Sequence, residues 1–79
     1  MSKIYKIKLE NGYYLFKLEQ VLEDKHISKN KLMQDTNTDF KVIKRLGTGD
    51  CVRMDLYILA RFCDYLDCNI SDLVEYVKN

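Results

Sequence analysis

Proline and tryptophan are absent from this chain of 79 residues, and glycine occurs only three times. No apolar run approaches the ~18 residues that a helix needs to cross a bilayer, so no transmembrane segment is expected. The first residues alternate lysine with Ile, Tyr and Leu and present no apolar block, so no secretory signal is expected either. The three cysteines (Cys51, Cys63 and Cys68) are odd in number and lack CxxC spacing, and the single histidine, His26, has no HxxxH companion. That pattern argues against a metal site, and with no export signal a reduced, cytoplasmic setting fits best. A phosphate-binding glycine loop and a nucleophile–base pairing are also missing, which speaks against an enzyme and leaves no cofactor or small-molecule ligand implied. At this length one domain is expected, near the small end of what folds unaided.

The net charge is only +1, which by itself says little about nucleic acid. Sorted by segment it is uneven. Residues 1–24 balance to zero. Residues 25–53 carry seven basic side chains against Asp35, Asp39 and Asp50, for +4, and residues 54–79 carry Arg61 and Lys78 against five acids, for −3. The positive charge is concentrated in the middle of the chain, as a phosphate-facing surface requires, although a solvated charged face gives the same pattern.

That middle segment, Ile27 to Leu46, reads as two short helices joined by a tight turn. Ser28 can cap the first helix with its hydroxyl, and Leu32 and Met33 face inward. Asn37 stands where the chain must bend, and after glycine it is a side chain that tolerates a left-handed backbone. Asp39 can cap the second helix, whose inward residues Ile43 and Leu46 are three apart. Phe40, Lys41, Lys44 and Arg45 are left for the outer face. A short cationic helix held out by a supporting helix is the shape that enters a DNA major groove.

In these residues the chain resembles the helix-turn-helix of the Cro/lambda-repressor-like (Xre-type) bacterial regulators. The family pattern falls on Ser28, Leu32-Met33, Asn37, Thr38, Asp39, Ile43, Leu46 and Gly49. Asn37 stands for the usual Gly, Thr38 for Ile or Val, and Met33 for Ala. The resemblance covers roughly Leu18 to Val77. It implies a mainly α fold, a five-helix lambda-repressor-like DNA-binding domain over residues 18–79 with its helix-turn-helix at about 28–46. Residues 1–17 lie outside it and read as an added N-terminal β-hairpin.

In the hairpin, Tyr5, Ile7 and Leu9 alternate with Lys6 and Lys8, and Asn11-Gly12 is the strongest two-residue turn signal. Pairing across that turn sets Glu10 opposite Tyr13, Leu9 opposite Tyr14 and Ile7 opposite Phe16, with Ile7, Leu9, Tyr14 and Phe16 on one face. That face either covers the helices or pairs with a second copy. Leu18, Val21 and Leu22 form the inward stripe of the first helix, with Glu19, Gln20 and Glu23 outward and His26 at its C-terminal end. Gly47-Thr48-Gly49-Asp50 is expected to end the recognition helix in a sharp turn close to a phosphate. Asp55 caps a fourth helix running to about Asp67, its stripe Leu56, Leu59, Ala60, Cys63 and Leu66. Cys63 is then a small buried apolar residue. A last helix, capped by Ser71, turns Leu73, Val74 and Val77 inward.

The resemblance implies a sequence-specific double-stranded DNA-binding regulator of transcription, a repressor acting as a homodimer on paired half-sites. Base edges then fall to Phe40, Lys41 and Arg45: Lys and Arg donate to guanine and an exposed Phe meets a thymine methyl, unless Phe40 is core. Lys29, Lys44, Thr48 and Arg53 are placed for phosphates. The other reading keeps the fold without the DNA role, as an antitoxin- or antirepressor-like protein-interaction module.

Overall fold

The computed structural model describes residues 3–50 and 53–79, so Cys51 lies outside the described residues. The order is β1 (Tyr5–Lys8), β2 (Gly12–Phe16), α1 (Leu18–Asp24), α2 (Lys29–Thr36), α3 (Phe40–Thr48), α4 (Leu56–Leu66), α5 (Ile70–Leu73) and β3 (Val74–Lys78). Five helices and an antiparallel sheet in the order β1-β2-β3 share one core. The expected five-helix domain with an N-terminal hairpin is what forms. The added strand is β3.

The helix expected over its segment does not form there, although Leu73, Val74 and Val77 also fit a helical spacing. Short apolar runs fit both periods, and the open edge of β2 decides between them. The chain leaves α5 at Val74 in extended conformation (φ −140°, ψ 132°) and pairs Phe16↔Val74, Tyr14↔Tyr76 and Gly12↔Lys78. Backbone bonds from Lys17 N to Leu73 O (2.8 Å) and Asn79 N to Asn11 O (3.1 Å) close the two ends. A Lys17 Nζ–Glu75 Oε1 pair at 2.9 Å adds a side-chain tie. The one-turn α5 is capped by Asn69, not Ser71, through a reciprocal box with Asp72.

The hairpin register also differs. Tyr5 pairs with Phe16, Ile7 with Tyr14 and Lys8 with Tyr13, and Leu9 N donates to Gly12 O at 2.8 Å. Glu10 and Asn11 are therefore the turn. A slip of two residues keeps every side chain on its face, so Ile7, Leu9, Tyr14 and Phe16 remain together and the alternation could not report the slip. Gly12 is taken into the sheet because β3 approaches it closely. A Cβ there would stand 2.3 Å from the Val77 carbonyl oxygen.

The sheet's apolar face lies over the end of α3. Gly49, at φ 81°, ends that helix, and a Cβ on it would meet Ile7 Cγ1 and Phe16 Cδ2 at 2.8 Å. The turn after α3 is thus at Gly49 alone, with Gly47 and Thr48 still helical, and it is buried under the hairpin. That position explains the glycine without a phosphate.

Leu18 and Leu22 of α1, Leu32 of α2, Ile43 and Leu46 of α3, Leu59, Phe62 and Leu66 of α4 and Leu73 of α5 build the core with Phe16. The inward face of α4 is turned from the expected one. Phe62 sits between Leu59 and Leu66 at spacings of three and four, whereas Leu56 is 72% exposed and Ala60 is also exposed. In α1, Glu19 is buried, contrary to its expected outward position. Lys29 Nζ at 3.1 Å and Tyr5 Oη at 3.5 Å accompany its carboxylate inward, which is what a buried charge requires. α1 ends in a Schellman turn: His26 takes φ 58°, His26 N donates to Glu23 O and Ile27 N to Leu22 O.

Candidate nucleic-acid interface

The helix-turn-helix forms as its caps dictate. Ser28 Oγ accepts from Lys31 N at 3.0 Å to start α2, and Asn37 (φ 52°) ends it in the left-handed conformation. Asp39 Oδ1 accepts from Lys41 N at 2.8 Å to start α3. Ile43 and Leu46 are fully buried, and they fix which side of α3 is left to solvent.

That side carries Phe40, Lys41, Lys44 and Arg45, all exposed, with Thr48 half-buried at its end. Phe40 is 39% exposed, so it is not core. Among the described residues, Lys41, Lys44 and Arg45 take part in no ion pair, while Lys17, Lys29 and Lys31 are each matched with a carboxylate. Lys3, Lys6, Lys8, Lys25, Arg53, Arg61 and Lys78 form no ion pair among the described residues either, so what marks α3 is three such cations on one exposed helix face. Thr48 Oγ1 donates to Lys44 O at 3.0 Å, which leaves its lone pairs and not its proton for an outside group.

The remaining candidates stand apart from this face. Lys29, at the first turn of α2, holds Glu19, and a phosphate arriving there competes with that carboxylate. Arg53 lines an apolar groove of about 280 Å³ with Tyr14, Phe16, Leu46, Met54, Leu59 and Val74, between the sheet and α3–α4.

Behind α2 and its turn runs a polar seam that sequence reasoning missed. Thr36 and Thr38 are 4% and 6% exposed, and their hydroxyl oxygens are 2.9 Å apart. Arg61 Nη1 of α4 donates to Thr36 O at 3.0 Å and reaches Thr38 Oγ1 at 3.5 Å. One α4 turn further on, Tyr65 Oη donates to Asp35 Oδ2, and Lys31 Nζ lies 3.1 Å from the same oxygen. The Tyr65 hydrogen bond, then Lys31, holds the Asp35 carboxyl below its usual range, and the same bond raises the Tyr65 phenol.

Cys63 and Cys68 are free thiols, half-buried against the core. Burial first, with Cys63 beside it, pushes Cys68 up to about 11, so it stays protonated at neutral pH. Among the described residues no three His, Cys, Asp or Glu side chains converge on a metal-sized site, and no helix is long and apolar enough to cross a membrane.

Comparison with solved structures gives a crystal structure of the transcriptional regulator VanUg. It has a TM-score of 0.69 and 22% identity, and the match covers 92% of this chain and 96% of that one. At that identity the likeness is one of fold. Comparison with curated proteins gives no match. A family model described as the Cro/C1-type HTH DNA-binding domain matches residues 17–79, from the end of the hairpin through all five helices and β3. The chain belongs to the Cro/C1-type helix-turn-helix DNA-binding family.

Proposed function

We propose that this protein is a sequence-specific regulator of transcription that lays α3 in the major groove of duplex DNA. The observation that carries this is the outer face of α3, where Lys41, Lys44 and Arg45 stand exposed and free of ion pairs beside an exposed Phe40. Phe40, Lys41 and Arg45 read base edges: the two cations donate to guanine, and the ring packs on a thymine methyl. Lys44, Lys29 and Arg53 hold phosphates and fix register without reading sequence, and Thr48 joins them once its hydroxyl turns from the Lys44 carbonyl to a phosphate oxygen. A domain seated on an operator blocks other proteins from it, so repression is the direct outcome.

One short recognition helix covers too few bases for a unique site, and the protein acts as a homodimer on half-sites about one helical turn apart. The sheet supports this reading. Among the described residues both its edge strands are unpaired on their outer sides, and Ile7, Leu9, Tyr14 and Tyr76 on its apolar face remain 36–47% exposed. Of the two C-terminal tyrosines, Tyr76 meets Tyr14 within the sheet with the rings tilted and their centroids 5.2 Å apart, whereas Tyr65 is bound to Asp35.

Fluorescence anisotropy with a pool of genomic duplex fragments tests the reading. If about five phosphates are neutralised per protomer, log affinity falls against log salt with a slope of roughly −4 to −5 per protomer. Absence of salt-sensitive binding at low ionic strength refutes it in favour of a protein-interaction module.

A further inference from the structure

We propose that Arg61 is the positioning residue of the DNA-reading unit, a clamp from α4 that sets the angle between α2 and α3 without touching DNA. The clamp grips the turn. The last carbonyls of a helix have no partner within it, and the end of α2 carries the negative pole of its dipole. The Thr36 carbonyl is one of these, and the Arg61 guanidinium supplies it a charged donor at 3.0 Å. The turn residue Thr38 is buried where the resembling family places Ile or Val, and a buried hydroxyl there needs partners.

The hydrogen bonds form one consistent chain. Arg61 Nη1 reaches Thr38 Oγ1 at 3.5 Å, Thr38 Oγ1 lies 2.9 Å from Thr36 Oγ1, and Thr36 Oγ1 donates to Leu32 O at 2.5 Å. The apolar plug of the family pattern is thus replaced by a polar lock whose outer end is Arg61. Three residues beyond Thr36 the chain enters α3 through the Asp39 cap. Any loosening of the turn therefore changes how Phe40, Lys41 and Arg45 are presented. Arg61 is itself solvent-exposed, so the competing role is a plain phosphate contact. The two roles have different signatures.

The clamp rests on the DNA-binding reading for its functional consequence, and the test keeps the two separable. Arg61→Met keeps the aliphatic reach and removes the donors. The expected result is about a tenfold weaker affinity for every sequence, with the salt slope equal to wild type, since no phosphate contact is lost. Arg61→Lys, which keeps one donor and the charge, restores affinity to within about threefold. A slope reduced by about 1 in Arg61→Met, or wild-type affinity in that variant, overturns the proposal. Hydrogen exchange in the free protein provides the arm that does not depend on DNA. The Thr38 amide, bonded to Met33 O at 3.1 Å, exchanges about tenfold faster in Arg61→Met while core amides of α4 do not. Unchanged exchange at Thr38 refutes the clamp whatever the DNA result. A wild-type protein that shows no salt-sensitive binding refutes the regulator reading instead.

Discussion

Gly12→Ala isolates the contact that makes this sheet three-stranded. Gly12 does not adopt a positive φ, so alanine meets no backbone penalty there. The whole cost is steric: the new Cβ would lie 2.3 Å from the Val77 carbonyl oxygen and 2.8 Å from the Tyr76 hydroxyl. The hydroxyl ends a side chain that can swing away. The carbonyl belongs to the β2–β3 ladder, and moving it to a normal contact shifts a strand by roughly 1 Å. Overpacking of that kind costs about 2 kcal/mol within a range of 1–3, which lowers the melting temperature of a domain this size by roughly 8–16 °C. Circular dichroism melts of four proteins measure it: wild type, Gly12→Ala, a chain ending at Tyr76, and the combination. In the shortened background the carbonyl is gone and the substitution costs about 0.5 kcal/mol or less, so the two changes are strongly non-additive. An equal cost in both backgrounds refutes the close approach of β3 and returns Gly12 to the turn.

Arg45→Ala removes a cation one helical turn after Lys41 on the exposed side of α3. It is expected to relax base preference at one operator position, by about 1–3 kcal/mol, in a randomised-site selection. A selected motif identical to that of wild type removes Arg45 from base reading. Tyr65→Phe deletes the donor that lowers the Asp35 carboxyl and is itself raised by it. A lowered carboxyl contributes stability above its ordinary value of 3.8, lost as pH falls through the folded-state value. A raised phenol contributes stability below 10.0, lost as pH rises through the folded-state value. The variant is therefore less stable than wild type across the window between them, and the two converge at either extreme. A stability difference that stays constant from pH 7 down to pH 2 in denaturant titrations contradicts the pairing.

The helix-turn-helix was legible because its signals are local. Ser28, Asn37 and Asp39 each act on backbone within a few residues, and Ile43 with Leu46 settles the buried side of α3. The errors came where a distant partner decides. Val74–Lys78 fits two periods, and only the free edge of β2, some sixty residues away, selects the strand. The hairpin register slipped by two because parity is unchanged and because Gly12 answers to Val77. Glu19 turned inward because Lys29, ten residues on, meets it there. Arg61 carried no local signal, since its acceptor is a backbone carbonyl 25 residues back.

The charge pattern gives the same lesson at the level of the site. A count by segment places +4 in residues 25–53, but a count cannot separate a lysine that faces solvent alone from one already matched. In the fold the matched ones are scaffold: Lys29 holds Glu19 between α2 and α1, Lys31 neutralises on α2 the Asp35 that Tyr65 of α4 binds, and Lys17 ties the start of α1 to β3. The cations of α3 are left over because the helix has no acid in its first turn, its N-cap Asp39 is spent on the cap, and its other side is apolar. Exposed pairs contribute little to stability in water, so Lys17 and Lys31 could be exchanged at small energetic cost, whereas losing Lys29 leaves the buried Glu19 carboxylate without its cation. A phosphate, by contrast, meets full charge at Lys41, Lys44 and Arg45 and a pre-engaged one at Lys29. The salt dependence of a duplex complex should therefore be more sensitive to neutral substitutions on α3 than to Lys29→Ala. An equal loss of slope from Lys29→Ala and Lys44→Ala would mean that Glu19 releases its lysine when DNA arrives.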